Sequence, residues 1–485
     1  MKKLISLITV LVVLSLGLWT AATYWFGTKT EQRYHALLKQ GSQYQYVKLE
    51  NESYSRGFLG SKARTVVEFH PAPGTATGDQ PFQFKLDHDI THGPLSFGKS
   101  PDGLSQFKPV MAIIETKLVL SPEIQSQLAE VYAQVPELAS MRDYTVIYLD
   151  GQGAERFLIP AFRHAVGNEN PATVDWKGLS FQVNFTADLK RFTGSLSVPG
   201  LEVMAKEGDL RIQEVKSAFD YQEGISGLSL GDASFDVAGM EFVDKQGDAP
   251  HAFLIRAFNI NTSNKASGEN LNCVVGIRTE QVKVGETQYG PGIFELELRN
   301  LDAASIARLQ QAIRELQTQQ PQPSVEQMQT MMLAKYGEIL PGLLKKSPEL
   351  EITQLQVKTS QGDFMGKAKI AFDGTKADSM QNLLALATAL TAQAEFKVAE
   401  GLLHSVAATI MKESIVEERK GEQGGTPSDQ EVKALATARL DEQLNALVAQ
   451  NILVKGNDNY QASASYKAGA IVLNGRPLSL QNLLR

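Results

Sequence analysis

One stretch of this sequence has the residues of a nucleotide site. Gly93-Pro94-Leu95-Ser96-Phe97-Gly98-Lys99-Ser100 fits G-x-x-x-x-G-K-[ST], a loop whose backbone amides cradle phosphates while its lysine reaches them. It follows an alternating strand. Val146-Ile147-Tyr148-Leu149-Asp150 also resembles the apolar strand whose terminal aspartate holds magnesium in such enzymes. The context opposes that chemistry. The lysine-serine pair must open a helix so that its N-terminal amides bind phosphate, yet Pro101-Asp102-Gly103 follows, a turn sequence with no helical period behind it. The parallel strand-helix-strand pattern of phosphate-loop enzymes is missing too.

A second stretch has metal-ligand types. In Asp87-His88-Asp89-Ile90-Thr91-His92, a strand would put His88 and His92 on one face but about 13 Å apart, at about 3.3 Å per residue. Two ligands of one zinc ion each lie about 2 Å from it, so the pair cannot share a metal unless the chain turns at Thr91. Asp87 and Asp89 face the other way. Hydrogen-bonded strand histidines are the simpler expectation. His35, His70, His164, His251 and His404 are scattered, and no H-E-x-x-H pattern occurs. No catalytic, cofactor or metal residue is therefore assigned.

The elements that would position these residues begin with an apolar run. Met1-Lys2-Lys3 precedes an uncharged segment over residues 4–26, about 34 Å of helix, enough for a hydrocarbon core of about 30 Å. The expected anchor residues include Leu4, Leu11, Leu18, Trp19, Trp25 and Phe26. The two lysines keep the N-terminus cytoplasmic, and Trp19, Tyr24 and Trp25 form an aromatic belt at the outer end. A cleaved signal peptide competes with this reading. Its apolar stretch is usually about 7–15 residues, and here the Thr20-Ala21-Ala22 site is followed by bulky rings. An anchor places residues 93–100 outside the cytoplasm, away from nucleoside triphosphates.

Beyond the anchor, period-two alternation prevails. Residues Phe82, Phe84, Leu86, His88 and Ile90 share a face, as do Leu179, Phe181, Val183 and Phe185, and Phe364, Gly366, Ala368 and Ile370. One apolar face per strand predicts antiparallel sheet. Helices come mostly late. Ser121-Pro122-Glu123 reads as a helix start, and Ile306, Leu309, Ile313 and Leu316 form a narrow stripe. Met380, Leu383, Leu384, Ala387 and Leu390 keep to one helical face. A further helix runs over residues 401–418 and a polar glycine-rich linker over 420–425. Ser428-Asp429-Gln430-Glu431 is a capping box, and the last element, residues 470–480, is a strand with an Asn474-Gly475 turn. The expected fold class is α+β, a large curved antiparallel sheet with packed helices behind one transmembrane helix. The expected segments are 1–27 (cytoplasmic tip and anchor), 28–300 (strand-rich) and 301–485 (mixed, continuing the same sheet). With a net charge of −7 and no basic patch, nucleic acid is excluded as a partner. The single cysteine, Cys273, alternates with Leu271 and Val275 and reads as a small apolar strand residue.

The string Ile90-Thr91-His92-Gly93-Pro94-Leu95 resembles a motif of the YdgA/YihF-type family of bacterial proteins (DUF945). Tyr54-Ser55-Arg56-Gly57-Phe58-Leu59-Gly60-Ser61, Trp176-Lys177-Gly178 and Leu473-Asn474-Gly475-Arg476-Pro477-Leu478 extend the resemblance over essentially the whole chain. It implies a single-pass inner-membrane protein with a periplasmic bulk and a homodimeric assembly. His92, Gly93, Pro94 and Leu95 are then a family motif of unknown role, and the phosphate-loop match is fortuitous. No cofactor follows. Three functions compete: a non-enzymatic binding or envelope-supporting module with an envelope partner; a carrier or conduit for lipid, as in AsmA-like proteins; and an enzyme using residues 87–100. Sheet faces left without covering helices would favour the carrier.

Overall fold

The computed structural model describes residues 2–42, 47–69, 82–93, 110–119, 133–167, 171–245, 252–285, 287–318, 325–379, 387–423 and 428–478. The chain divides into two compact units, Met1–Glu223 and Gly224–Arg485. It is an α+β protein, rich in antiparallel strands with several helices.

The first unit opens with helix α1, Lys2–Gly41, which carries the apolar run. Among the described residues, the strands that follow are β1 Val47–Arg56, β2 Gly60–Phe69, β3 Phe82–His92, β4 Val110–Val119, β5 Arg142–Tyr148, β6 Gly153–Ile159, β7 Phe162–Val166, β8 Ala172–Trp176, β9 Leu179–Phe185, β10 Arg191–Met204 and β11 Gly208–Glu223. β1 to β6 pair in chain order, then β6 pairs with β9, β9 with β10 and β10 with β11. β8 takes the second half of β10, and β7 lies beside β8. The core sits under α1, where Tyr34 joins Ala63, Ile90, Met111, Ala112, Ile114 and Ile147, with Phe26 packed against them.

The described strands of the second unit are β12 Ser229–Asp244, β13 Ala252–Ser267, β14 Asn270–Thr279, β15 Gln281–Val284, β16 Thr287–Asp302, β17 Glu349–Thr359, β18 Phe364–Phe372, β19 Leu390–Ala399, β20 Val454–Lys455, β21 Asn459–Lys467, β22 Ala470–Leu473 and β23 Arg476–Leu478. β12, β13, β14, β16, β17, β18, β19 and β21 are successive antiparallel neighbours. The described helices of the unit include α2 Ala303–Thr318, α3 Val325–Lys345, α4 Glu400–Gln423 and α5 Asp429–Ala449.

Several local readings meet the structure directly. The Ser428 capping box starts α5, with Ser428 accepting from the Glu431 amide and Glu431 accepting from Ser428. Asn474 and Gly475 both adopt positive φ between β22 and β23, as a two-residue hairpin requires. The Ile306–Leu316 stripe turns inward: Ile306 packs beside Leu271 and Ala303, and Leu316 is buried. Two boundaries differ. Residues 420–423 continue α4 rather than forming a linker, and Leu390 opens strand β19 rather than closing a helix, because it pairs with Phe372 on β18. The helix start at Ser121 lies outside the described residues. Among the described residues no helix is long and apolar enough to cross a membrane. The side chains of residues 1–12, including Leu4 and Leu11, lie outside the description.

Candidate functional site

His92, at the end of β3, is almost fully buried, and its Nε2 lies 3.0 Å from the Ser61 hydroxyl on β2. Its ring lies against α1 where α1 has no side chain: a Cβ on Gly27 would stand 2.8 Å from His92 Cε1. Gly93 follows at φ +130°, a conformation that glycine tolerates, with the Thr23 side chain of α1 next to it. Thr23 and Thr30 are themselves fully buried. The first half of the family motif is therefore the socket into which α1 docks. Residues 94–100, which include Pro94 and Leu95, lie outside the described residues.

A chain of polar groups runs from α1 across the sheet beneath. The Tyr34 hydroxyl is 2.8 Å from Thr65 Oγ1, which is 2.8 Å from His88 Nε2; His88 Nδ1 is 3.0 Å from Thr116 Oγ1. Thr116 in turn donates to the Asp143 carboxylate. Asp143 accepts only, so every link has one direction: Tyr34 to Thr65, Thr65 to His88, His88 to Thr116, Thr116 to Asp143. That order places the imidazole proton on Nδ1. Burial pushes His88 down to about 4, which keeps it neutral near pH 7. Burial likewise lowers His92, and the Arg56 charge adds to the effect. Burial raises Asp143 to about 6 and Glu155 on β6 to about 7, the charge of Asp143 contributing to the second shift.

Asp87 and Asp89 occupy the opposite face, as the strand period predicts. Asp87 pairs with Arg64 at 2.5 Å and Asp89 with Lys62 at 3.4 Å. Among the described residues, β3 pairs with an antiparallel neighbour, β4, rather than a parallel one, and Asp150 accepts from the Gln152 amide in a turn. Sequence reasoning missed one grouping. Glu400 and His404 stand one turn apart on α4, and Asp441 of α5 places Oδ1 2.8 Å from His404 Nε2. Lys455 Nζ already sits 3.0 Å from Glu400, so a cation is present in this cluster. The i, i+4 spacing was visible in the sequence, but Asp441 joins only through the packing of α4 on α5.

The second unit's sheet segregates its two faces. One row of directly paired residues runs Phe235, Ile260, Ile277, Phe294, Leu355, Gly366, Phe396 and Ala462 across eight strands. The next row on that face runs Ala233, Thr262, Val275, Leu296, Ile352, Ala368, Ala394 and Ala464. Register shifts at Glu295/Leu296 and Ile352/Leu355 insert residues into β17 and keep its apolar side chains in phase with those of β16 and β18. The reverse face is polar, with Arg299 held by Glu351 at 2.7 Å and Glu349 at 3.1 Å.

Among the described residues, helices cover the apolar face only at its margins. At one end α4 and α5 bury Val398 and Tyr460 beneath Leu402 and Leu444. At the other, α2 covers Leu271. No residue of the two rows between is buried, and Phe235 and Phe396 are each 37% exposed. Seven inter-strand steps of about 4.8 Å make the open band about 34 Å long.

No curated protein and no solved structure matches this chain. A family model does: residues 1–481 match the bacterial protein family of unknown function DUF945. The match includes the His92-Gly93 socket, the Gly57–Gly60 hairpin and the Asn474-Gly475 turn, and by it the chain belongs to the DUF945 family.

Proposed function

We propose that this is a single-pass protein of the bacterial inner membrane. In this reading α1 is the anchor, the N-terminus is cytoplasmic and both units are periplasmic. The open apolar band of the second unit takes an extended apolar ligand, such as the acyl chain of a lipid. The band carries the ligand assignment. An antiparallel sheet facing a core buries its inward side chains, whereas this face leaves two adjacent apolar rows accessible along eight strands. At about 34 Å it exceeds the roughly 15 Å depth of one hydrocarbon leaflet. The anchor is supported by the exposed apolar residues Val13, Leu14, Leu16 and Leu18 on the part of α1 that precedes its docked turns.

The test is lipid extraction from gently solubilised full-length protein, followed by mass spectrometry, beside Phe294→Glu and Ile277→Glu. Stoichiometric lipid in the parent chain, lost in both variants with circular dichroism unchanged, is the expected result. Equal lipid content in parent and variants would overturn the ligand assignment and leave a tethered scaffold as the better reading.

A further inference from the structure

The tip of the β1–β2 hairpin is built to meet the same surface that α1 enters. Gly57 and Gly60 close it, the Gly57 amide donating to the Gly60 carbonyl at 2.8 Å. A Cβ on Gly57 would lie 2.7 Å from the Gly60 carbonyl oxygen, and one on Gly60 2.8 Å from the Ile90 carbonyl oxygen. The turn is therefore tight, and it thrusts out the two residues between the glycines. Phe58 is 49% exposed and Leu59 52%. Large apolar side chains at a loop tip are costly in water unless something covers them.

What covers them follows from where the tip lies along α1. The flank of the hairpin is pinned to the helix at Arg56, whose guanidinium donates to Thr28 Oγ1 and Glu31 at 3.0 Å each and lies 5.1 Å from the Tyr24 ring. Two residues on, Phe58 meets Trp19 edge to face, with centroids 5.7 Å apart. The contact on α1 has moved from residues 24–31 back to residue 19, so the hairpin points toward the N-terminal, apolar end of the helix. At that level α1 also exposes Leu18 (73%), while Trp25 (50%) stands about 9 Å further along the helix, beside the Arg56 contacts. Ring-bearing and aliphatic side chains at one height, with a guanidinium just behind, match the composition of a membrane-water boundary.

We infer that Phe58 and Leu59 insert into the interfacial layer of the bilayer that holds α1, as a second foot of the first unit. The partner is the lipid surface itself. This rests on the anchor reading above. A single helix leaves a domain free to swing, whereas a second apolar contact beside it fixes which face of the first unit lies on the membrane.

Depth measurement separates the two ideas. The full chain, with Cys273→Ala, is reconstituted in vesicles of phosphatidylethanolamine and phosphatidylglycerol. Spin labels are placed one at a time through Leu16→Cys, Leu59→Cys and Lys206→Cys. Collision with oxygen and with a water-soluble nickel chelate reports depth. The inference expects Leu16→Cys and Leu59→Cys both to show nickel accessibility several-fold below Lys206→Cys. Leu16→Cys protected but Leu59→Cys matching Lys206→Cys overturns the second foot and leaves the anchor standing. Leu16→Cys matching Lys206→Cys overturns both. A label through Phe58→Cys repeats the measurement on the neighbouring tip residue.

Discussion

Gly27 has no side chain because His92 occupies the place one would take. With a Cβ 2.8 Å from the His92 ring, Gly27→Leu should cost on the order of 1–3 kcal/mol through overpacking. For a unit of this size that is about 2–4 °C of melting temperature per kcal/mol. Thermal unfolding should show the loss, and His92→Ala combined with Gly27→Leu should recover part of it. The buried acids and His88 act against each other with pH. Glu155 titrates higher in the fold than in the unfolded chain, so the folded state binds more protons and stability falls as pH rises from about 4.5 to about 7. His88 titrates lower in the fold, so its contribution makes stability rise between about 4 and 6.5. Glu155→Gln should leave a flatter profile, because Asp143, also raised by burial, and His88 then oppose each other below about pH 6, whereas His88→Gln should leave a stability that falls more steeply with pH. Urea midpoints from pH 4 to 8 read both slopes; unchanged profiles would mean that neither group is shifted. The role of His88 as a neutral, hydrogen-bonded strand residue could be read from the strand period. Its position in a relay from Tyr34 to Asp143 could not, because four separate strands and a helix supply the links.

At the scale of elements, α1 is tied to the first unit by more than apolar contact. Arg33 donates to the carbonyls of Ala187 at 2.5 Å, Gly151 at 2.6 Å and Thr186 at 2.9 Å, which lie in two turns far along the chain, and its guanidinium sits over Phe185. Arg33→Ala should lower stability by about 2–4 kcal/mol, since each charge-assisted bond contributes about 1.5–3 kcal/mol and water partly replaces them. Arg33→Lys should restore little, because an ammonium cannot serve three diverging carbonyls in the plane of a fork. Chemical denaturation of the three proteins decides it. The strands at this scale were legible: Leu179–Phe185 and Phe364–Phe372 fall where alternation placed them, because one face of each is apolar. Leu390 was misread as helical because Ala-rich and Leu-rich residues precede it, and pairing with β18 outweighed that local preference. The grouping of Glu400, His404 and Asp441 was half legible, since the sequence has no period linking α4 to α5.

At the scale of the whole molecule, the surroundings of α1 change along its length. Its residues from Thr23 to Tyr34 belong to the first unit, with Tyr34 only 4% exposed, while Val13 and Leu18 remain exposed. Phe26, expected in the anchor, packs on the core beside Tyr34. On the proposed anchor reading, removal of residues 1–22 should release the protein from the membrane fraction with circular dichroism intact, whereas removal of residues 1–34 should unfold the first unit. Sedimentation and circular dichroism of the two truncations check this, and a folded product from the longer deletion would refute the docking role. The sequence by itself determined the strands, their apolar faces, the capping box, the Asn474-Gly475 turn and the family, because these depend on periods and short-range geometry within a few residues. Only the tertiary structure decided that His92 is a socket for α1, that Phe58 stands beside Trp19, and that two apolar rows stay open between helices. Each of these depends on which elements come to lie side by side, and residues tens of positions apart leave no local pattern of their meeting.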